Sequence, residues 1–119
     1  MMPKIEVSKD LNAKVLQLVE AAKNGGKIRR GTNETTKTIE KGKSQLVVIA
    51  NDVEPPEVVM HLPVLCDEKK IPYAYVQSKM ELGRASGIDV PCAAISLVEI
   101  GEGKELLKEV LKKLNEAKV

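Results

Sequence analysis

The chain has 119 residues, 43% of them hydrophobic and 30% charged, enough apolar mass for one compact domain over 1–119 and too little chain for a second. No apolar run approaches the roughly 18 residues of a membrane span, and the start, Met1-Met2-Pro3-Lys4-Ile5-Glu6, lacks the apolar core of a signal peptide, so a cytoplasmic protein is expected. Net charge is only +2, and with no Phe or Trp and only Tyr73 and Tyr75 an aromatic stacking platform of the RRM or OB type is nearly excluded.

In chain order, Leu11, Val15, Leu18, Val19 and Ala22 recur on one helical face, with Ser8 or Asp10 able to cap the start and Asn24-Gly25-Gly26 the end. A short strand over Lys27 to Arg30 follows. Gly31-Thr32 then opens a helix to about Lys41 that Gly42 terminates. Leu46 to Ala50 is an unbroken apolar run, the pattern of a strand covered on both faces at the centre of a sheet. Asn51 to Pro56 is a loop, and Pro56 suits the first turn of a helix that should kink or break at Pro63 in its middle. Tyr73 to Val76 reads as a strand. Ser78-Lys79-Met80-Glu81 has the spacing of a capping box, opening a helix that ends near Gly87. Cys92 to Val98 is a last strand, and Glu105 to Lys118 a last helix with Leu106, Leu107, Val110, Leu111 and Leu114 inward. This order predicts an α/β fold, a single-domain three-layer α/β/α sandwich with a mixed sheet of about four strands.

Charge is unevenly spread. Residues 23–43 hold seven of the nineteen basic side chains (Lys23, Lys27, Arg29, Arg30, Lys37, Lys41, Lys43) beside two of the seventeen acids, Glu34 and Glu40. A cationic face of this kind is the usual footprint of a phosphate-rich partner, whose condensed counterions are released on binding. Gly42-Lys43-Ser44 within it is no phosphate-binding P-loop, since that motif needs glycine five positions before its Gly-Lys, where Lys37 stands, and must follow a strand. Cys66 and Cys92 form no CxxC pair and have no histidine cluster, so they read as buried apolar residues, and neither metal nor cofactor is expected. Asp52, Glu54 and Glu57 with His61 are the material of an acid/base site. The acids flanking Pro55-Pro56 are better placed to meet a helix dipole, and His61 has no nucleophile beside it, so no enzymatic activity is expected.

Asn33 and Lys37 lie one turn apart on the second helix, with Glu34 at the same entrance. Amide, ammonium and carboxylate together address the edge of a guanine, the carboxylate accepting its N–H groups while Lys37 and Asn33 donate to O6 and N7. A carboxylate inside a basic patch repels phosphate, and discrimination between bases gives it a purpose. The plainer alternative is that Glu34 answers the helix dipole while the lysines solvate a surface. Two further classes stay open: a protein-interaction module with a basic docking face, and a small hydrolase using Asp52, Glu54 and His61.

The segments Gly31-Thr32-Asn33-Glu34-Thr35-Thr36-Lys37, Pro55-Pro56-Glu57 with His61-Leu62-Pro63, Leu82-Gly83-Arg84-Ala85, Gly87 and Val90-Pro91-Cys92-Ala93 occur in an order that resembles the kink-turn RNA-binding family of the archaeal large-subunit ribosomal protein L7Ae. The resemblance spans nearly the whole chain. It implies a protein of the large ribosomal subunit that also serves as a core subunit of box C/D and box H/ACA guide ribonucleoproteins and of archaeal RNase P, with ribosomal, guide and RNase P RNA and the other core proteins of those particles as partners. The ligand it implies is the kink-turn, a bent helix-bulge-helix with tandem sheared G·A pairs. Carried over by residue, it makes Asn33, Glu34 and Lys37 the readers of the guanines and sets Ile88, Asp89 and Val90 against the bulged nucleotides. Gly31 and Thr32 would bring backbone close to phosphate, and Lys27, Arg30 and Lys79 would supply charge around the bend. Asp89 is shorter than the glutamate expected there.

Overall fold

The computed structural model describes residues 9–117, and of 115–117 the backbone alone. Ser8 and Lys118 lie outside the described residues. Nine main elements alternate: α1 (Lys9–Gly25), β1 (Lys27–Arg30), α2 (Thr32–Glu40), β2 (Leu46–Ala50), α3 (His61–Lys69), β3 (Tyr73–Val76), α4 (Lys79–Ala85), β4 (Ala94–Glu99) and α5 (Lys104–Ala117), with 3-10 turns at Pro56–Val58 and Gly101–Gly103.

The strands form one sheet in the order β1-β4-β2-β3. β2 runs parallel to β3, while β4 is antiparallel to both β1 and β2, so the sheet is mixed. Successive side chains of a strand point to opposite faces, yet all five residues of β2 are buried, which requires a helical layer on each side. The helices sort accordingly: α1 packs against α4 and α5, and α2 against α3. This is the α/β/α sandwich expected from the order of elements. Val15, Leu18, Val19 and Ala22 of α1, Ile39 of α2 and Leu46, Val47, Val48 and Ile49 of β2 are fully buried, each large aliphatic side chain contributing about 1.5–3 kcal/mol by leaving water.

Four local expectations need correction. Asp10 does not cap α1 but sits inside its first turn, where its carboxylate meets Lys113 at 2.6 Å. The helix expected to break at Pro63 breaks earlier, between the 3-10 turn and His61, which puts Pro63 in the first turn of α3. There the missing N–H of proline costs nothing, because first-turn donors have no intrahelical partner. Ser78 does cap α4, its Oγ accepting the Glu81 N–H at 3.2 Å, but in place of the second half of a capping box Asp52 Oδ1 accepts the Lys79 N–H at 2.9 Å. Finally, β4 starts at Ala94 rather than Cys92, because Pro91 has no N–H and the Cys92 N–H is given to the Lys79 carbonyl at 3.0 Å.

Candidate nucleic-acid interface

The junction of β1 and α2 begins the site. Gly31 sits at φ +96° and ψ 155°, a conformation essentially closed to residues with a Cβ. It donates its N–H to the Ala94 carbonyl at 2.9 Å, and its own carbonyl accepts the Thr35 N–H at 2.9 Å, starting α2. No side chain caps the helix, and nothing stands within 4 Å of where a Cβ of Gly31 would be. The first-turn N–H groups and the positive end of the helix dipole are therefore approachable by an anion.

α2 divides cleanly by face. Thr35, Thr38 and Ile39 are buried toward the sheet, while Asn33, Glu34 and Lys37 are exposed. Lys37 Nζ lies 3.6 Å from Glu34 Oε1, both side chains at least half exposed. An exposed pair of this sort is worth about 0–1 kcal/mol, so a ligand separates it at little cost. Thr36, beside them, donates its hydroxyl to the Thr32 carbonyl at 2.8 Å, and His61 Nε2 lies 2.9 Å from the Thr36 Oγ1. With the hydroxyl proton committed, the imidazole is the donor, and His61 braces the start of α3 against α2. Two residues of the hydrolase reading are engaged with other elements: His61 with Thr36 of α2, and Asp52 with the start of α4.

The second element is the segment that follows α4. Ser86 is the C-cap, Gly87 has φ +92°, and the Ile88 N–H returns to the Gly83 carbonyl at 3.0 Å. A side chain at position 83 would run into the Val90 carbonyl, so glycine lets the loop lie directly on α4. Ile88 is half-buried against the core, Asp89 is exposed and Val90 is 58% exposed.

A side chain joins the two elements. Arg30, the last residue of β1, donates Nε to the Ser86 carbonyl at 3.0 Å and Nη2 to the same oxygen. Two of its N–H donors are thus given to the C-terminus of α4, where the helix dipole favours a cation, while the side chain stays exposed and keeps its charge. Lys79, half-buried, begins α4. Lys27 stands apart, at the far end of β1 opposite Glu99, about 10 Å along the strand from Arg30. The spacing of motifs missed Lys23: its aliphatic stem crosses Gly87, with Cδ 2.9 Å from where a Cβ of Gly87 would stand. Its place in the basic stretch was the available signal, but nothing local ties the end of α1 to a loop so distant in the chain.

Among the described residues, no group of three or more His, Cys, Asp and Glu side chains is arranged to hold a metal ion. Burial pushes the Cys66 thiol up to about 12. Burial likewise raises Cys92, whose Sγ donates to the Ala94 carbonyl at 3.2 Å. Neither supplies a thiolate nucleophile.

The model of the ribosomal protein L7Ae/L30e/S12e/Gadd45 family matches residues 13–107. Among solved structures, the chain is similar to one from Giardia lamblia described as a 15.5kD RNA binding protein, with 33% sequence identity, a TM-score of 0.89 and 98% of each chain covered.

Proposed function

Because the chain belongs to the ribosomal protein L7Ae/L30e/S12e/Gadd45 family, we propose that it binds RNA, and specifically the kink-turn with its tandem sheared G·A pairs. The observation that carries this reading is the joint presentation of Asn33, Glu34 and Lys37 on the exposed side of an uncapped helix start. Sheared pairing leaves guanine edges accessible, and the three side chains supply the acceptor and donors those edges require. Gly31 and Thr32 offer backbone N–H groups to phosphate, and Lys79 and Lys23 flank the loop of Ile88, Asp89 and Val90, whose apolar side chains cover an unstacked nucleotide in place of aromatic residues.

Binding of this kind needs no covalent step. A kink packs two phosphate backbones together, so free RNA populates the bent form incompletely, and a protein that contacts only that form shifts the equilibrium by its differential affinity. The particles in which this serves are the large ribosomal subunit, the box C/D and H/ACA guide ribonucleoproteins and RNase P of an archaeal cytoplasm, where other core proteins join the RNA so shaped. Titration of a kink-turn carrying a fluorescent donor and acceptor on its two arms tests the central point: energy transfer should rise to saturation, and an unchanged end-to-end distance in the bound complex overturns the reading.

A further inference from the structure

We propose that Arg30 is a positioning residue: by holding the Ser86 carbonyl, its guanidinium sets the 87–90 loop against the start of α2, so that an unstacked nucleotide and the paired guanines are recognised as one unit. The inference rests on the RNA-binding reading above and assigns to Arg30 a task beyond supplying charge.

Both ends of this tie are rigid. On one side Arg30 is bonded into the sheet opposite Ile95 and is followed at once by Gly31, whose N–H is held by Ala94. On the other side Ser86 is fully buried; its N–H reaches the Leu82 and Gly83 carbonyls and its hydroxyl donates to the Gly83 carbonyl at 2.8 Å. The loop itself is pinned to α4 through Ile88 N–H on Gly83 and Cys92 N–H on Lys79, so it moves with α4. Arg30 then links that unit to the turn that presents Asn33, Glu34 and Lys37. The link uses two N–H groups of one planar fork on a single acceptor, a geometry that lysine, with a point charge on a flexible stem, does not reproduce. The Lys23 side chain packs over Gly87, at the start of the same loop.

The experiment measures affinity by fluorescence anisotropy for two RNAs, an intact kink-turn and the same RNA with an abasic residue in place of the extruded nucleotide. For the natural protein the intact RNA should bind about tenfold or more tighter, the worth of one base contact. Arg30→Lys keeps the charge and should collapse that ratio to below about threefold, with affinity for the abasic RNA changed by less than about threefold, since phosphate contacts supply most of it. Arg29→Lys, the neighbouring arginine, should leave the ratio intact. A ratio retained in Arg30→Lys overturns the proposal, including the case in which both RNAs are weakened equally, which makes Arg30 a simple phosphate contact. A natural-protein ratio near one also overturns it, by removing the loop from the contact. If the natural protein binds a straight duplex as tightly as the kink-turn, the failure lies instead in the proposed function, and the two cases are told apart by that control. Thermal unfolding of each variant verifies that the fold is kept.

Discussion

At the scale of single residues, Glu34 and Lys27 test whether base reading and charge are separable under the proposed function. Glu34 is exposed in the reading trio, and its truncation to Ala should weaken the preference for G·A pairs by about 1–3 kcal/mol while sparing RNAs that already lack them. Lys27, which stands apart at the far end of β1, acts through its charge alone, so its replacement by Ala should lower affinity for all RNAs alike and reduce the slope of affinity against salt by at most about one. Binding isotherms on matched and mutated kink-turns at several salt concentrations check both, and equal losses across all RNAs in both variants would refute the division. Thr35 supplies a second test. Its hydroxyl is fully buried and has no hydrogen-bond partner among the described residues. Val at this position has the same shape without the stranded polar group, so Thr35→Val should raise stability by about 0.5–1 kcal/mol, read as a higher urea midpoint at unchanged slope.

At the scale of elements, α5 is latched to α1 by charge as well as by leucines. Asp10 lies 2.6 Å from Lys113 and 3.9 Å from Lys14, and Lys14 reaches Glu109 at 3.3 Å. The hydrogen bond from Lys113, then the charges of Lys113 and Lys14, hold the Asp10 carboxyl below its usual range. A depressed carboxyl pKa stabilises the folded state above the unfolded value, about 3.9, and that contribution is lost as pH falls through the folded value. Asp10→Asn should therefore be less stable than the natural protein at neutral pH, with the gap closing below about pH 4 and shrinking in high salt, the pair being exposed. Urea midpoints of the two proteins across pH 7 to 3 measure it, and a gap independent of pH would assign the effect to something other than the latch. α4 depends on a different device, since its short length leaves it reliant on Ser78 and Asp52 for its first donors.

At the scale of the whole molecule, the two cysteines report cooperativity. Cys66 lies in α3 and Cys92 just before β4, both buried. A thiol is modified only as thiolate and only when reached, and burial prevents both. In a single cooperative domain the two thiols should become reactive together, in step with loss of the helical circular-dichroism signal in urea. Earlier labelling of one of them would reveal separate unfolding of that layer. The sheet favours cooperativity, because β4 lies between β1 and β2 and so joins the segment that leads into Asn33, Glu34 and Lys37 to the rest of the core.

Much of this architecture was legible in the chain because it is local. The spacing of Leu18, Val19 and Ala22, the apolar run of β2 and the glycines at 31, 42 and 87 are properties of neighbouring residues, and neighbouring residues set helix faces, strand burial and turn conformation. The trio of Asn33, Glu34 and Lys37 belongs to the same class, since one helical turn fixes their mutual placement whatever surrounds it. Tertiary structure alone decided where the helix before β3 breaks, which neighbours β4 takes, and what Arg30 and Lys23 do. Arg30 meets a backbone carbonyl 56 positions away, and every residue carries such a carbonyl, so no side-chain pattern announces the partner; only the folding of β1 beside the end of α4 selects it.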